Sequence, residues 1–267
     1  MVRAGAIALA ASLAALPADA CRLALVMAID VSNSVDATED ALQRQGVAAA
    51  LVAPEVQAAF FVSPDPVSLL IFEWSGRHHQ QLMVDWTEIL TPADLAGVAA
   101  IVGTSQRRQR DFPTALGHAL GYAATRLVEK QDCLSQTIDV AGDGRNNDGF
   151  GPGEAYDAFP FDGVTVNALA VDASILETRD ALVSFFENEV IRGAGAFVEV
   201  ANGFDDYEAT MRRKLVRELL SQVVGEAGPP PFSGLQAERK DVRSDLSTSH
   251  IGSNILTISE AAHIPVQ

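Results

Sequence analysis

From position 23 onward the chain alternates short, wholly apolar runs with longer stretches of helical period. The run 23–29, LALVMAI, has no polar position, as expected of a strand buried on both faces in a parallel sheet. A helical pattern spans 38–61, and a second apolar strand, containing VSLLIF, falls in 66–74. The spacing then predicts a short edge strand over 81–86 and helices over 92–102 and 114–130. A strand over 137–141 leads into a Gly/Asn/Asp-rich loop, GDGRNNDGFGPG. Beyond it come a buried strand over 164–171, a helix over 176–191, a strand over 196–201 and a helix over 204–224.

Strands and helices thus alternate throughout, which predicts an α/β fold of βαβ units: a doubly wound, mostly parallel sheet with helices on both faces. Sheets of this kind bind ligands beyond the carboxyl ends of their strands, where strand order reverses. Chemistry is therefore sought at strand ends.

Both termini read differently. Residues 1–20 have the form of an export leader: Arg3, an apolar run of 13 residues over 4–16 that is too short to span a bilayer, Pro17, and an A-x-A site at Ala18-Asp19-Ala20. The mature chain would begin at Cys21. Lipidation of that cysteine is the weaker alternative, because no leucine stands three residues before it. After Gly225 the cluster GEAGPPPFSG opens a polar stretch with one apolar patch at 255–258, so 225–267 is expected to be a flexible or loosely docked tail. The domain proper is then 21–224, exported to the periplasm or secreted, with no transmembrane segment.

Charge narrows the partners. The 19 basic residues face 35 acidic ones, a net −16 that disfavours nucleic acid and anionic membranes. Two cysteines exclude zinc-finger and iron–sulfur sites.

The first strand runs into Asp30-Val31-Ser32-Asn33-Ser34, a D-x-S-x-S. One carboxylate and two hydroxyls in alternation suit a hard cation such as Mg2+, which keeps few protein ligands and stays electrophilic. A helix cap explains the same residues more plainly. Two further segments favour the metal: Thr114, at the expected start of a helix, and Asp143, followed by Gly144 at the end of a strand.

In this order the sequence resembles the von Willebrand factor type A domain with its metal-ion-dependent adhesion site, over about 23–224. It is similar, more narrowly, to exported bacterial proteins of that type grouped as a domain of unknown function. The resemblance implies a Rossmann-like fold in which Ser32 and Ser34 bind the metal directly. Thr114, Asp30 and Asp143 would bind directly or through water. The sixth position would be left to an Asp or Glu of a protein partner. Mg2+ leads, with Mn2+ and Ca2+ as alternatives. Two departures alter the loops without removing a ligand: Asp-Phe-Pro precedes Thr114, and Gly142 precedes Asp143.

Cys21 lies nine residues before Asp30, and Cys133 ten before Asp143. If the aspartates mark the tops of neighbouring parallel strands, the cysteines meet at the bottom, close enough for a disulfide. The alternative is two unrelated thiols. Asp148, Asn146 and Glu73 are placed at the rim of the site. His78, His79 and His118 are read as structural, and Arg107-Arg108-Gln109-Arg110 as a basic loop. Asp139, a charge inside a buried strand, requires a partner that the pattern does not name.

The leading function is an exported, metal-dependent protein-binding module, an adhesion or scaffold domain rather than an enzyme. The alternatives are a Mg2+-dependent phosphoryl-transfer hydrolase and a structural protein with a silent site. No nucleophile elbow, P-loop or dinucleotide motif supports catalysis.

Overall fold

The computed structural model describes residues 21–107, 112–173 and 177–226. The leader expected over 1–20, the positions 108–110 of the basic loop, the tail from 227 and its 255–258 patch lie outside the described residues.

Strand β1 (Leu23–Asp30) is followed by helices α1 (Ala37–Val52) and α2 (Pro54–Phe60), strands β2 (Val67–Trp74) and β3 (Gln80–Ile89), and helices α3 (Pro92–Thr104) and α4 (Leu116–Leu127). Strand β4 (Ser135–Gly142), helix α5 (Pro152–Ala158), strand β5 (Val164–Val171) and helix α6 (Arg179–Phe185) follow, then β6 (Val198–Ala201) and α7 (Tyr207–Glu226). The sheet order is β3-β2-β1-β4-β5-β6, parallel except for β3, which is antiparallel to β2.

The central place of β1 explains its unbroken apolar run. It pairs with β2 from Leu23↔Val67 to Asp30↔Trp74, and with β4 from Leu23↔Ser135 to Ala28↔Val140. Leu23, Leu25, Met27 and Ile29 join the core under α1, α2, α3 and α7. Ala24, Val26 and Ala28 face the other layer, built on α4, α5 and α6. That second layer packs closely because its helices carry small residues. At Gly117 a Cβ would lie 2.2 Å from the Phe150 carbonyl oxygen, so α4 and the loop before α5 can touch only with glycine there.

The expected architecture is observed, with local differences. The helical pattern over 38–61 is two helices, because the residue before a proline avoids helical backbone. Ala53 is accordingly extended and Pro54 opens α2. The edge strand is longer than expected, at ten residues. Helix α5 starts in the last two residues of the loop GDGRNNDGFGPG and runs on through a stretch to which the pattern assigned no element, initiated by Pro152 and by Glu154 accepting from the Gly151 N–H. The helix expected from 114 begins at Leu116, leaving Thr114 in the segment before it. Residues 225 and 226, assigned to the tail, continue α7.

Cys21 and Cys133 form a disulfide at the amino ends of β1 and β4, where the Leu134 N–H also bonds the Cys21 carbonyl at 2.9 Å. Strand order reverses between these same two strands. Their opposite ends carry Asp30 and, one residue past β4, Asp143.

Candidate metal centre

Four of the five candidate ligands are joined in one hydrogen-bonded chain. Asp30 Oδ1 accepts from the Ser32 N–H at 2.7 Å, closing a tight turn as β1 ends. Ser32 Oγ and Ser34 Oγ lie 3.0 Å apart, and Ser34 Oγ donates to Asp143 Oδ1 at 2.7 Å. The last bond spans 109 positions of sequence and ties the β1 loop to the end of β4. Asp30, Ser32 and Asp143 are buried, whereas Ser34 is exposed, so the cluster opens to solvent at Ser34.

Thr114 is buried on the adjoining segment. Phe112 O accepts from the Asn33 N–H at 2.8 Å, and the Ala115 N–H donates to Ser75 O at 2.9 Å, so this segment lies against the D-x-S-x-S loop and the end of β2. On its other side Asn147 Oδ1 accepts from the Thr114 N–H at 2.8 Å, while Thr114 O accepts from the N–H groups of Asn147 and Asp148. Asn146 Oδ1 takes the Gly117 N–H at 3.2 Å, serving from a distant loop as the cap that α4 lacks locally. Asn146 thus positions α4 beside the site.

The other two rim candidates are engaged elsewhere. Asp148 pairs with Arg77 at 2.8 Å, which holds its carboxyl below the usual range. Glu73 is not at a rim. It is buried on the α1 side of β2 and bonded to Arg44 at 2.6 Å, and Arg44 also binds Asp40 and Ser105. His118 stacks on Phe150 and His79 on Phe112, in packing roles.

Two supporting residues escaped the sequence reading. Gln43 Nε2 donates to Asp30 O at 2.7 Å from the buried side of α1. Arg107, read only as part of a basic loop, donates to Val35 O at 2.6 Å and Ser32 O at 2.9 Å, bracketing the serine loop. Their partners are backbone carbonyls, which carry no signature in composition. For Gln43 the only signal was a polar side chain on the inward stripe of α1.

Electrostatically, Arg107 does not offset the crowding of carboxylates in the cluster. Burial, reinforced by the charge of Asp143, pushes the Asp30 carboxyl up to about 8, against the hydrogen bonds from Ser32 and the nearby Arg107. Asp143 is raised too, by burial first and by the charge of Glu39, against its bond from Ser34. Asp30 Oδ2 is buried without a hydrogen-bond partner. It lies over Gly142, where a Cβ would come within 3.2 Å of it. Among the described residues no three His, Cys, Asp or Glu side chains are grouped to hold a metal. A cation here would rely on hydroxyls as well as the two carboxylates.

A six-stranded sheet of this order, with helices on both faces and this loop at the switch point, is a von Willebrand factor type A fold. Residues 20–223 match a family described as a protein of unknown function, DUF1194, and the chain belongs to that family. No curated protein sequence matches it. Among solved structures it is similar to proximal thread matrix protein 1 from the mussel byssus, with a zinc-occupied MIDAS motif, at 14% identity and TM-score 0.54 over 75% of this chain and 46% of that one. It is similar to a von Willebrand factor type A protein from Catenulispora acidiphila, at 14% identity and TM-score 0.50 over 76% and 43%. A third is the pilus adhesin SpaC from Lactobacillus rhamnosus GG, at 12% identity and TM-score 0.53 over 75% and 30%. The chain spans less than half the length of each of these structures. Among the described residues no helix is long and apolar enough to cross a membrane.

Proposed function

We propose that this chain is an exported, metal-dependent protein-binding module, and that Asp30, Ser32, Ser34, Thr114 and Asp143 hold its divalent cation. The observation that carries the reading is the partnerless Asp30 Oδ2, buried in a hydroxyl-lined cluster with a second buried carboxylate. A polar atom without a partner in a buried place is costly, and two like charges there more so. A hard cation relieves both, and two carboxylates with three hydroxyls form a donor set suited to Mg2+, Mn2+ or Ca2+. When bound, the cation supplies an electrophilic position for a carboxylate. Ser34, exposed at the mouth, marks where a partner's Asp or Glu would approach. Arg107 and Gln43 hold the serine loop through its carbonyls and so keep the donors in place.

Binding is favoured over hydrolysis because both cysteines are engaged in the disulfide, at the ends of β1 and β4 opposite Asp30 and Asp143, while His79 and His118 pack on Phe112 and Phe150. The disulfide supports export, and with the Cys21 sulfur so engaged no lipid can be attached to it.

Calorimetry with Mg2+, Mn2+ and Ca2+, followed by an immobilised library of acidic peptides, tests the reading. Metal binding, and peptide capture abolished by chelator, are expected. Thr114→Ala should weaken metal-dependent capture by about tenfold or more, the loss of one ligand, while the fold survives. Absence of divalent-metal binding at millimolar concentration, with acidic peptides present, overturns it.

A further inference from the structure

A second cluster of ionisable groups lies in the core on the α7 side of the sheet. Asp139 projects from the middle of β4, Asn167 from β5, and Lys214 and Glu218 from successive turns of α7, none more than 3% exposed. Lys214 Nζ is 2.5 Å from Asp139 Oδ1 and 2.6 Å from Glu218 Oε1. Glu218 Oε1 also accepts from Asn167 Nδ2 at 2.9 Å, and the Phe197 ring lies 5.6 Å from Nζ. The contact with Asp139 is an ion pair of unusual geometry. The ammonium nitrogen is closer to Asp139 than to Glu218, yet neither Asp139 carboxylate oxygen takes part in a hydrogen bond of good geometry. The ammonium directs its hydrogen bond to Glu218 and meets the Asp139 carboxyl off the hydrogen-bonding direction.

Two buried carboxylates against one buried ammonium leave an uncompensated charge in the core, an expensive arrangement. Proton transfer from Lys214 to Asp139 would leave a neutral amine beside a neutral carboxylic acid, in a buried site that holds the two in contact. Such confinement turns a slow bimolecular condensation into a fast intramolecular one.

We propose that Lys214 and Asp139 become joined by an isopeptide bond, formed by the folded protein itself with Glu218 as proton carrier. The Nζ lone pair of neutral Lys214 attacks Cγ of protonated Asp139. The N–C bond forms and the C–OH bond breaks. Glu218 takes one Nζ proton and delivers it to the departing hydroxyl, which leaves as water. The other proton stays on the amide. No oxidant or further reactant is required. Burial, together with the charge of Asp139, raises the Glu218 carboxyl to about 7, against the pull of Lys214, a value suited to carrying a proton at neutral pH. Burial disfavours the Lys214 ammonium, but Asp139 and Glu218 outweigh it and raise its pKa, so the reacting form arises by transfer within the pair. The bond would abolish both charges. It would also strap α7 to the strand that carries Asp143 at its end, independently of whether a cation binds there.

Mass spectrometry of the full chain after reduction tests this. The mass should fall short of the sequence by one water, about 18 Da. Trypsin should yield peptide 131–145 joined to 214–217, with no cleavage after Lys214. Glu218→Gln, which keeps the shape of the side chain, should leave most molecules without the bond. A full mass, with free peptide 131–145 and cleavage after Lys214, overturns the proposal. So does a missing water located anywhere else.

Discussion

Replacing Asp30 by asparagine should stabilise the protein in chelator while abolishing its response to metal. Asp30 titrates near its ordinary 3.8 in the unfolded chain and at about 8 in the fold. At pH 7 the unfolded group is ionised, whereas the fold prefers it protonated. The gap of about three pH units corresponds to about 4 kcal/mol of stability lost at about 1.4 kcal/mol per unit. The sign follows from the raised value. The penalty is absent below about pH 4, grows as pH rises, and is complete above about pH 8. Asparagine carries no charge and keeps an oxygen to accept from the Ser32 N–H. Its amide would stand where Asp30 Oδ2 now lies without a partner, at a cost of about 1–2 kcal/mol. The net gain at neutral pH is then about 2–3 kcal/mol, or about 5–10 °C in melting temperature for a domain of this size.

The assay is a pair of melting curves in chelator from pH 4 to 8. Asp30→Asn should melt slightly below wild type at pH 4, where only the cost of its amide counts, cross it as pH rises, and melt higher at neutral pH and above. Saturating Mg2+ should raise the wild type and leave the variant unmoved. A variant that melts lower than wild type in chelator at pH 8, or a separation that ignores pH, would refute the argument that charge crowding dominates the metal-free cluster.

Reduction of Cys21–Cys133, or its replacement by a pair of alanines, should lower stability by up to about 4.7 kcal/mol, since the two cysteines are 112 positions apart and the loss follows loop length; equilibrium unfolding in denaturant reads it. Gly117→Ala should destabilise by about 1–3 kcal/mol because the added methyl meets the Phe150 carbonyl at 2.2 Å, whereas Gly97→Ala in α3, with nothing within 4 Å, should be neutral or gain up to about 1 kcal/mol. Equal effects at the two glycines, measured by melting, would remove the packing argument.

The parts of the fold that could be read in the sequence are those set by neighbours of uniform character. Strand β1 has a parallel strand on each side and a helical layer on each face, so every position is apolar and the run is unmistakable. The D-x-S-x-S is local, and Asp143 follows an apolar strand directly, so these candidate residues stand out in the sequence. Thr114 was located, but its setting was not. It precedes the helix rather than opening it, because α4 borrows its cap from Asn146, 29 positions from Gly117. Helix α5 gave no signal between the Gly/Asn/Asp-rich loop and β5 because seven residues offer too few turns for a periodic pattern.

The charged residues of the interior were the hardest to place, and one pair was more legible than it seemed. Glu73 at the end of an apolar strand gave no hint of Arg44, 29 positions earlier on a different element. Asp139 was a visible anomaly without a partner. On α7 the four residues Arg212, Arg213, Lys214 and Arg217 look like one basic group, yet helical spacing separates them. Met211, Lys214, Leu215, Glu218 and Leu219 recur at intervals of three and four and form the buried stripe. Lys214 and Glu218 therefore stood at inward positions of a core helix, while Asp139 stood in a core strand. A buried charge requires an opposite charge, and the one lysine on an inward stripe is the partner that the aspartate demanded across 75 positions of sequence.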